Sequence, residues 1–162
     1  MSTGPRIVIA GLGSEYRRDD GAGVAVARAL ADRLGPGSDI GPVGEPLDLL
    51  GRWDGAELAV LVDTVRSADP PGTIQVVELG TAAPTGPAPA AGSPRSSHGI
   101  GLVGVLRLAR AIGTAPRRVV LVGIVGSEFG AGEGLSPAVR RAVTEAVDLV
   151  AGLPEIEAVR CA

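Results

Sequence analysis

The fold is decided by residues 7–23, which read IVIAGLGSEYRRDDGAG. The first four are apolar and mostly β-branched, as in a buried strand. Gly11 and Gly13 then allow a sharp turn, and the acidic pair Asp19 and Asp20 precedes a helical stretch. A strand, a glycine turn, two acids and a helix in this order place carboxylates at the carboxyl edge of a sheet, where open α/β folds bind their ligands.

Composition and charge restrict the class of protein. The chain has 162 residues, enough to bury a sizeable core, and we expect a single domain over residues 1–162. The formal net charge is −3 and no basic patch is present, which argues against nucleic-acid binding. No apolar run is long enough to span a membrane, and residues 1–6 are too short and polar for a signal peptide. We therefore expect a cytoplasmic monomer with no membrane partner.

Strands and helices alternate along the chain. Apolar runs predict strands at 6–10, 40–43, 58–63, 73–78 and 118–125, and helical patterns cover 20–34, 46–50, 100–110 and 136–153. Because the gap between 58–63 and 73–78 is too short for a crossover helix, these two strands are expected to form an antiparallel hairpin. The predicted fold class is α/β: a single three-layer domain with a twisted, mostly parallel sheet of about five strands, one antiparallel edge strand and helices on both faces.

Two stretches are predicted to lack regular structure. Residues 80–97 are rich in Pro, Ala, Gly and Ser, and are expected to form a long surface loop that delivers the chain to His98. Residues 154–162 are expected to form a frayed tail.

Three residues that can carry chemistry lie where a strand or loop meets the next element. Asp20 follows the first strand, Asp63 ends the apolar strand 58–63, and His98 precedes the third helix. If the two strands are adjacent and parallel, both carboxylates project over one edge of the sheet. Two carboxylates and an imidazole suit a borderline divalent ion such as zinc or nickel, with positions left open for water or substrate.

Each of these residues also has a purely structural interpretation. Asp20 can be an acid at a helix N-terminus, and this interpretation is favoured for Asp19. Asp63 can cap the turn that follows its strand, and His98 can be a solvated loop residue. The spacing alone leaves these alternatives open.

Other catalytic or cofactor sites fit the sequence poorly. The glycine turn lacks the third glycine of a dinucleotide-binding fingerprint, and the acids around it would repel a pyrophosphate. No G-x-S-x-G nucleophile motif is present. The single cysteine, Cys161, excludes a disulfide framework and a thiolate metal site, and it is too close to the end of the chain to be a convincing nucleophile.

Four blocks of sequence carry a resemblance to a known family. They are residues 7–23, with the glycine turn and acidic pair; 60–74, which contains Asp63 and Pro-Gly-Thr; 97–102, which reads SHGIGL; and the last strand and helix start at 119–126 and 134–137. In this order, and over nearly the whole chain, they resemble the hydrogenase maturation endopeptidases. Those enzymes trim the C-terminal extension from the large subunit of nickel–iron hydrogenases.

The resemblance implies a function for the same three residues. In the family, the second acid of the opening motif, the aspartate of the next buried strand and the loop histidine bind a metal ion, and these positions are Asp20, Asp63 and His98 here. The implied metal is nickel supplied by the partner, the hydrogenase large-subunit precursor, although zinc or another divalent ion could substitute in vitro. The implied activity is an aspartyl-type endopeptidase that cuts after a basic residue without a Ser or Cys nucleophile. The metal would polarise the scissile carbonyl or activate a water.

The sequence departs from the family pattern in two places. Ser14 stands where the family commonly has Asn, and residues 41–46 read GPVGEP where the family tends to have Asp-Gly-Gly-Thr. The second departure bears on substrate identity more than on the fold. Two other functions remain as alternatives: a non-cleaving, nickel-dependent checkpoint or chaperone that binds the same precursor, and a nucleotide- or flavin-binding domain.

Overall fold

The computed structural model describes residues 4–36, 38–80 and 101–160. The strands are β1 (Ile7–Leu12), β2 (Asp39–Val43), β3 (Leu58–Val65), β4 (Ile74–Leu79) and β5 (Arg118–Val125). The α-helices are α1 (Ala22–Leu34), α2 (Leu49–Arg52), α3 (Leu102–Ile112), α4 (Pro137–Ala151) and α5 (Pro154–Arg160). Short 3-10 helices at Arg18–Gly21 and Pro46–Asp48 precede α1 and α2. The predicted loop 80–97, except for Gly80, lies outside the described residues, as does His98.

The described strands form one five-stranded sheet in the order β2-β1-β3-β5-β4. The pairs β1–β2, β1–β3 and β3–β5 are parallel, and β4 pairs antiparallel with β5 at one edge. The predicted mostly parallel sheet with one antiparallel edge strand is therefore confirmed.

The predicted hairpin between the third and fourth strands is wrong. β4 does run antiparallel, but β5 lies between it and β3. The β3–β4 connection crosses the carboxyl end of β5, where the N–H of Gly72 donates to the carbonyl of Val125 at 2.7 Å and the N–H of Val125 donates to Thr73 at 2.9 Å. Because β5 is buried along nearly its whole length, an interior position suits it, and the half-exposed β4 takes the edge.

Helices cover both faces of the sheet, and β3 shows how the sequence achieves this. Its alternate residues Leu58, Val60 and Val62 pack in a core with α1, α4 and α5. Ala59 and Leu61 point the other way, into a core with α2 and α3. Every residue of β3 is buried, which confirms the predicted central position of this apolar strand.

The end of the described chain corrects the prediction of a frayed tail. Residues 154–160 form α5, whose Ile156 is only 4% exposed and joins the core under α1 and α4. Pro154 at the first turn suits a helix start, and Glu155 forms an ion pair with Arg118 of β5. Ile156 is the one buried residue of this short helix, and the polar residues around it conceal that signal in the sequence. In the described part of the chain, no helix has the length and apolar character needed to cross a bilayer.

Candidate functional site

The carboxyl ends of β1 and β3 form a topological switch point. From β1 the chain passes through α1 to β2 on one side of the sheet, whereas the strands that follow β3 lie on the other side. In open α/β sheets, a crevice opens where the connections diverge in this way, and ligands bind there. Asp20 follows β1 and Asp63 lies near the end of β3, so both candidate carboxylates belong to this edge.

Two glycines let the start of α1 lie directly on the ends of these strands. A Cβ on Gly11 would stand 2.0 Å from the carbonyl oxygen of Gly23. A Cβ on Gly23 would stand 2.4 Å from the carbonyl oxygens of both Leu12 and Val62. Real Cβ atoms do not approach so closely, and the backbone contact therefore exists only because these residues lack one. The contact fixes the segment that carries Asp20 against β1 and β3.

Asp20 is fully buried within the 3-10 helix that precedes α1. Its Oδ2 accepts a hydrogen bond from the backbone N–H of Ser14 at 3.0 Å. The preceding residue, Gly13, has φ +118°, and a Cβ there would stand 2.0 Å from the backbone oxygen of Asp20. The glycine turn thus folds closely around this acid.

Asp63 is 1% exposed and lies within β3, two residues before its end. Its Oδ1 accepts a hydrogen bond from the backbone N–H of Thr64 at 2.8 Å. By strand alternation Asp63 shares the face of Ala59 and Leu61, on which α3 packs. The two acids thus lie on neighbouring elements of one buried edge.

The third candidate, His98, lies outside the described residues, four positions before α3 begins at Leu102. Arg110, near the end of α3, donates a hydrogen bond to the carbonyl of Gly80, which follows the last residue of β4. Because Leu79 pairs with Val119 near the start of β5, this contact places the end of α3 at the amino edge of the sheet. The helix therefore begins toward the opposite, carboxyl edge. Within the described residues alone, no group of three His, Cys, Asp or Glu side chains forms a potential metal site.

Asp19 has a role that the sequence did not predict. It is fully buried, and its carboxylate accepts five hydrogen bonds from two serines and one glutamate of the β5–α4 connection. The donors are the N–H and hydroxyl of Ser127, the N–H of Glu128, and the N–H and hydroxyl of Ser136, at 2.7–3.3 Å. Burial opposes ionisation of Asp19, but these donors together hold the pKa of its carboxyl below the ordinary value.

These contacts give Asp19 and Ser136 partners in distant segments of the chain. Asp19 lies in the first turn of the 3-10 helix Arg18–Gly21, as expected for an acid at a helix N-terminus, but its carboxylate accepts its hydrogen bonds from the β5–α4 connection. The hydroxyl of Ser136, at the N-terminus of α4, does not accept a hydrogen bond from its own helix. It donates instead to Oδ2 of Asp19 at 2.9 Å. Both residues join distant segments, and a local sequence pattern cannot reveal such a bond.

The β5–α4 connection lies at the carboxyl edge of the sheet. Its backbone pairs with the segment before Asp20, through bonds from Arg18 to Gly132 at 2.9 Å and from Asp19 to Glu128 at 2.8 Å. Arg18 has φ +54°, a conformation that this pairing stabilises. Phe129 belongs to the same connection. The guanidinium of Arg66 lies over its ring, with Cζ 3.9 Å from the ring centroid, in a cation–π contact.

A groove of about 430 Å³ opens beside the glycine turn. It is lined by residues 13–16 of the turn, by Val24 and Arg28 of α1, by residues 42–45 at and just after the end of β2, and by Asp48. Arg28 pairs with Glu15, and this hydrogen bond lowers the pKa of Glu15. Glu45 and Asp48 form no ion pair with the described residues, so the groove presents uncompensated negative charge next to Asp20.

Comparison with known proteins agrees with this arrangement. The family model described as HycI, hydrogenase maturation protease, matches residues 39–153. The chain belongs to the hydrogenase maturation protease family. It is therefore a protease, a hydrolase of peptide bonds, that acts in hydrogenase maturation, and the resemblance seen in the sequence is confirmed.

Relatives of the family share both sequence and fold with the chain. The hydrogenase expression/formation protein HupD of Thiocapsa roseopersicina is 28% identical over 153 residues, which cover 92% of this chain and 67% of HupD. The hydrogenase maturating endopeptidase HybD from E. coli superposes with a TM-score of 0.73 at 24% identity, covering 90% of this chain and 89% of that one. The NiFe hydrogenase maturation protease HybD from Thermococcus kodakarensis gives 0.70 at 27% identity, covering 90% and 96%. The predicted fold class is confirmed by these likenesses.

Proposed function

We propose that this protease removes the C-terminal extension of a hydrogenase large-subunit precursor that already carries nickel. The observation that carries the proposal is the burial of two carboxylates, Asp20 and Asp63, at the switch point between β1 and β3. Buried carboxylates are costly unless they are paired, hydrogen-bonded or bound to a cation. Membership of the maturation protease family supplies the class of substrate.

The donor atoms suit a borderline divalent ion. Asp20 and Asp63 offer carboxylate oxygens, and His98 is proposed as the nitrogen ligand that completes the set. Support for His98 comes from the position of α3, which begins toward the same edge and packs on the face that Asp63 shares. The nickel belongs to the substrate, so the site recognises a precursor that has received its metal and leaves an empty precursor uncut.

The proposed reaction is hydrolysis of one peptide bond. Nickel bound between precursor and protease supplies a Lewis acid for the scissile carbonyl or for a water molecule. Water adds its hydroxyl to the carbonyl carbon, and its proton goes to the nitrogen of the leaving peptide. Asp20 and Asp63 hold the precursor through its metal, and their buried setting strengthens electrostatic interactions that bulk water would screen.

The experiment that tests this proposal is mass spectrometry of a nickel-loaded large-subunit precursor incubated with the protease. We expect the wild type to release a C-terminal peptide, and His98→Ala to release none. A nickel-free precursor should stay intact with both proteins. An intact precursor that co-purifies with the wild type would overturn cleavage in favour of the non-cleaving checkpoint. Full processing by His98→Ala, or of the nickel-free precursor, would overturn the proposed site or its metal dependence.

A further inference from the structure

We propose that Thr64 is a positioning residue whose hydroxyl sets the placement of Asp20 relative to Asp63. The inference rests on the proposed function, because it concerns the geometry of the proposed metal-binding carboxylates. Thr64 touches neither precursor nor metal in this account, and acts only through its two acidic neighbours.

The decisive contact joins segments that are 45 positions apart in the sequence. The Oγ1 of Thr64 donates a hydrogen bond to the backbone oxygen of Asp19 at 2.6 Å, and Thr64 is 1% exposed. Asp63 directly precedes Thr64, and Asp20 directly follows Asp19. A single side-chain hydrogen bond therefore ties the residue next to one candidate ligand to the residue next to the other.

Thr64 also holds Asp63 directly. Its backbone N–H donates to Oδ1 of Asp63 at 2.8 Å, so the same residue orients one carboxylate and anchors the peptide that leads into the other. Outer groups that orient metal ligands in this way typically contribute tenfold or more to metal affinity.

The remaining contacts indicate that the fold can persist without this hydroxyl. The backbone oxygen of Asp19 also accepts the N–H of Ala22, and the carboxylate of Asp19 is held by the β5–α4 connection. Removal of the Thr64 hydroxyl would therefore leave the 3-10 helix formed and still close to the sheet through the packing of Gly23, but without its side-chain hydrogen bond to β3. We expect a shift in the placement of Asp20, not the loss of the element that carries it.

Two substitutions separate the hydroxyl from the rest of the side chain. Thr64→Val keeps the shape and puts a methyl group where Oγ1 now lies 2.6 Å from an oxygen, a distance that a carbon atom cannot keep. The 3-10 helix must then move away from β3. Thr64→Ser keeps the hydroxyl and loses only the methyl group that packs beside Gly126.

Thr73, which directly precedes β4, provides a matched control. Thr73 also donates its hydroxyl to a backbone oxygen, that of Pro70 at 2.7 Å, but it contacts none of the acids at the proposed site. Thr73→Val therefore removes the same kind of bond without the proposed effect.

The test is calorimetric titration of the full chain with Ni²⁺, together with thermal unfolding of each metal-free variant. We expect Thr64→Val to weaken Ni²⁺ binding by about tenfold or more, while Thr64→Ser and Thr73→Val stay within about threefold of the wild type. The same order is expected for kcat on nickel-loaded precursor. Thermal unfolding identifies variants that are folded, and a merely structural role would lower stability without changing the affinity of the folded protein.

Two results would overturn the inference while leaving the proposed function intact. One is wild-type affinity in folded Thr64→Val, and the other is an equal loss in Thr64→Val and Thr64→Ser. If Thr64→Val does not fold, Thr64→Ala takes its place, because it removes the hydroxyl without adding a crowded methyl, and the same outcomes apply. Wild-type protein that neither binds Ni²⁺ nor cleaves the precursor would instead overturn the proposed function.

Discussion

Asp19 and Ser136 lie 117 positions apart in the sequence and share two hydrogen bonds. The N–H of Ser136 donates to Oδ1 of Asp19 at 2.7 Å, and its hydroxyl donates to Oδ2 at 2.9 Å. These bonds join the segment before α1 to the N-terminus of α4. Asp19 is thus an internal clamp, a role distinct from the ligand role proposed for its neighbour Asp20.

The clamp predicts a large loss of stability for Asp19→Asn. The amide cannot accept all five hydrogen bonds, and its NH₂ group would face donors in a buried site. We expect the free energy of unfolding to fall by about 3 kcal/mol, measured by urea denaturation. Asp148→Asn, which removes an exposed carboxylate paired with Arg33, is the control and should leave the midpoint unchanged. Equal midpoints for the two variants would contradict the clamp.

The close packing of α1 on the sheet predicts a similar loss for Gly23→Ala. A methyl group at this position would collide with two carbonyl oxygens, and α1 would have to move away from β1 and β3. We expect a loss of about 3 kcal/mol in urea denaturation and weaker Ni²⁺ binding. Gly51→Ala in α2 has open space around it, so it should be neutral or slightly stabilising. A stable Gly23→Ala variant would show that the close approach is not required.

The packing of α5 on the core predicts that one of its side chains, Ile156, accounts for most of what the helix contributes to the free energy of unfolding. Ile156→Ala removes a buried side chain from the core, and should lower the free energy of unfolding by about 3 kcal/mol. Val159→Ala in the same helix affects a residue that is 41% exposed and should have a much smaller effect. Similar chemical denaturation curves for both variants would mean that α5 contributes little to the core.

The resemblance implies cleavage after a basic residue, and we expect that residue of the precursor to bind in the acidic groove beside the glycine turn. Glu45→Gln combined with Asp48→Asn removes two negative charges from its lining, and should raise KM for nickel-loaded precursor by about fivefold with little change in kcat. The control pair, Asp54→Asn with Glu57→Gln, removes the same charge near the start of β3, at the opposite edge of the sheet. Equal KM values for the two pairs would exclude the groove as the binding place of that residue.

Much of the fold could be predicted because the decisive signals are local. The apolar run of β3 indicates a strand covered on both faces, and Gly11 and Gly13 mark the turn after β1. The order of the strands in the sheet could not be predicted in this way, because the short β3–β4 connection suggested a hairpin. Whether β5 enters between two strands depends on pairing between residues far apart in sequence, and no local pattern carries that information.

The candidate site shows the same division. Asp20 and Asp63 could be proposed from the sequence because one follows an apolar strand and the other lies near the end of one. The bond from Thr64 to Asp19, and the donation of the Ser136 hydroxyl to the same residue, could not be predicted. A buried threonine in a strand and a serine before a helix are both common, and only the tertiary fold gives them these partners.

The central claim is that Asp20, Asp63 and His98 bind one metal ion. It is tested most directly by a crystal of the protein soaked in Ni²⁺, with an anomalous difference map recorded at the nickel absorption edge. We predict one strong peak at the carboxyl edge, in contact with both carboxylates and the imidazole at about 2.0–2.2 Å. A peak bound by other residues, or one at the two aspartates without His98, would contradict the account.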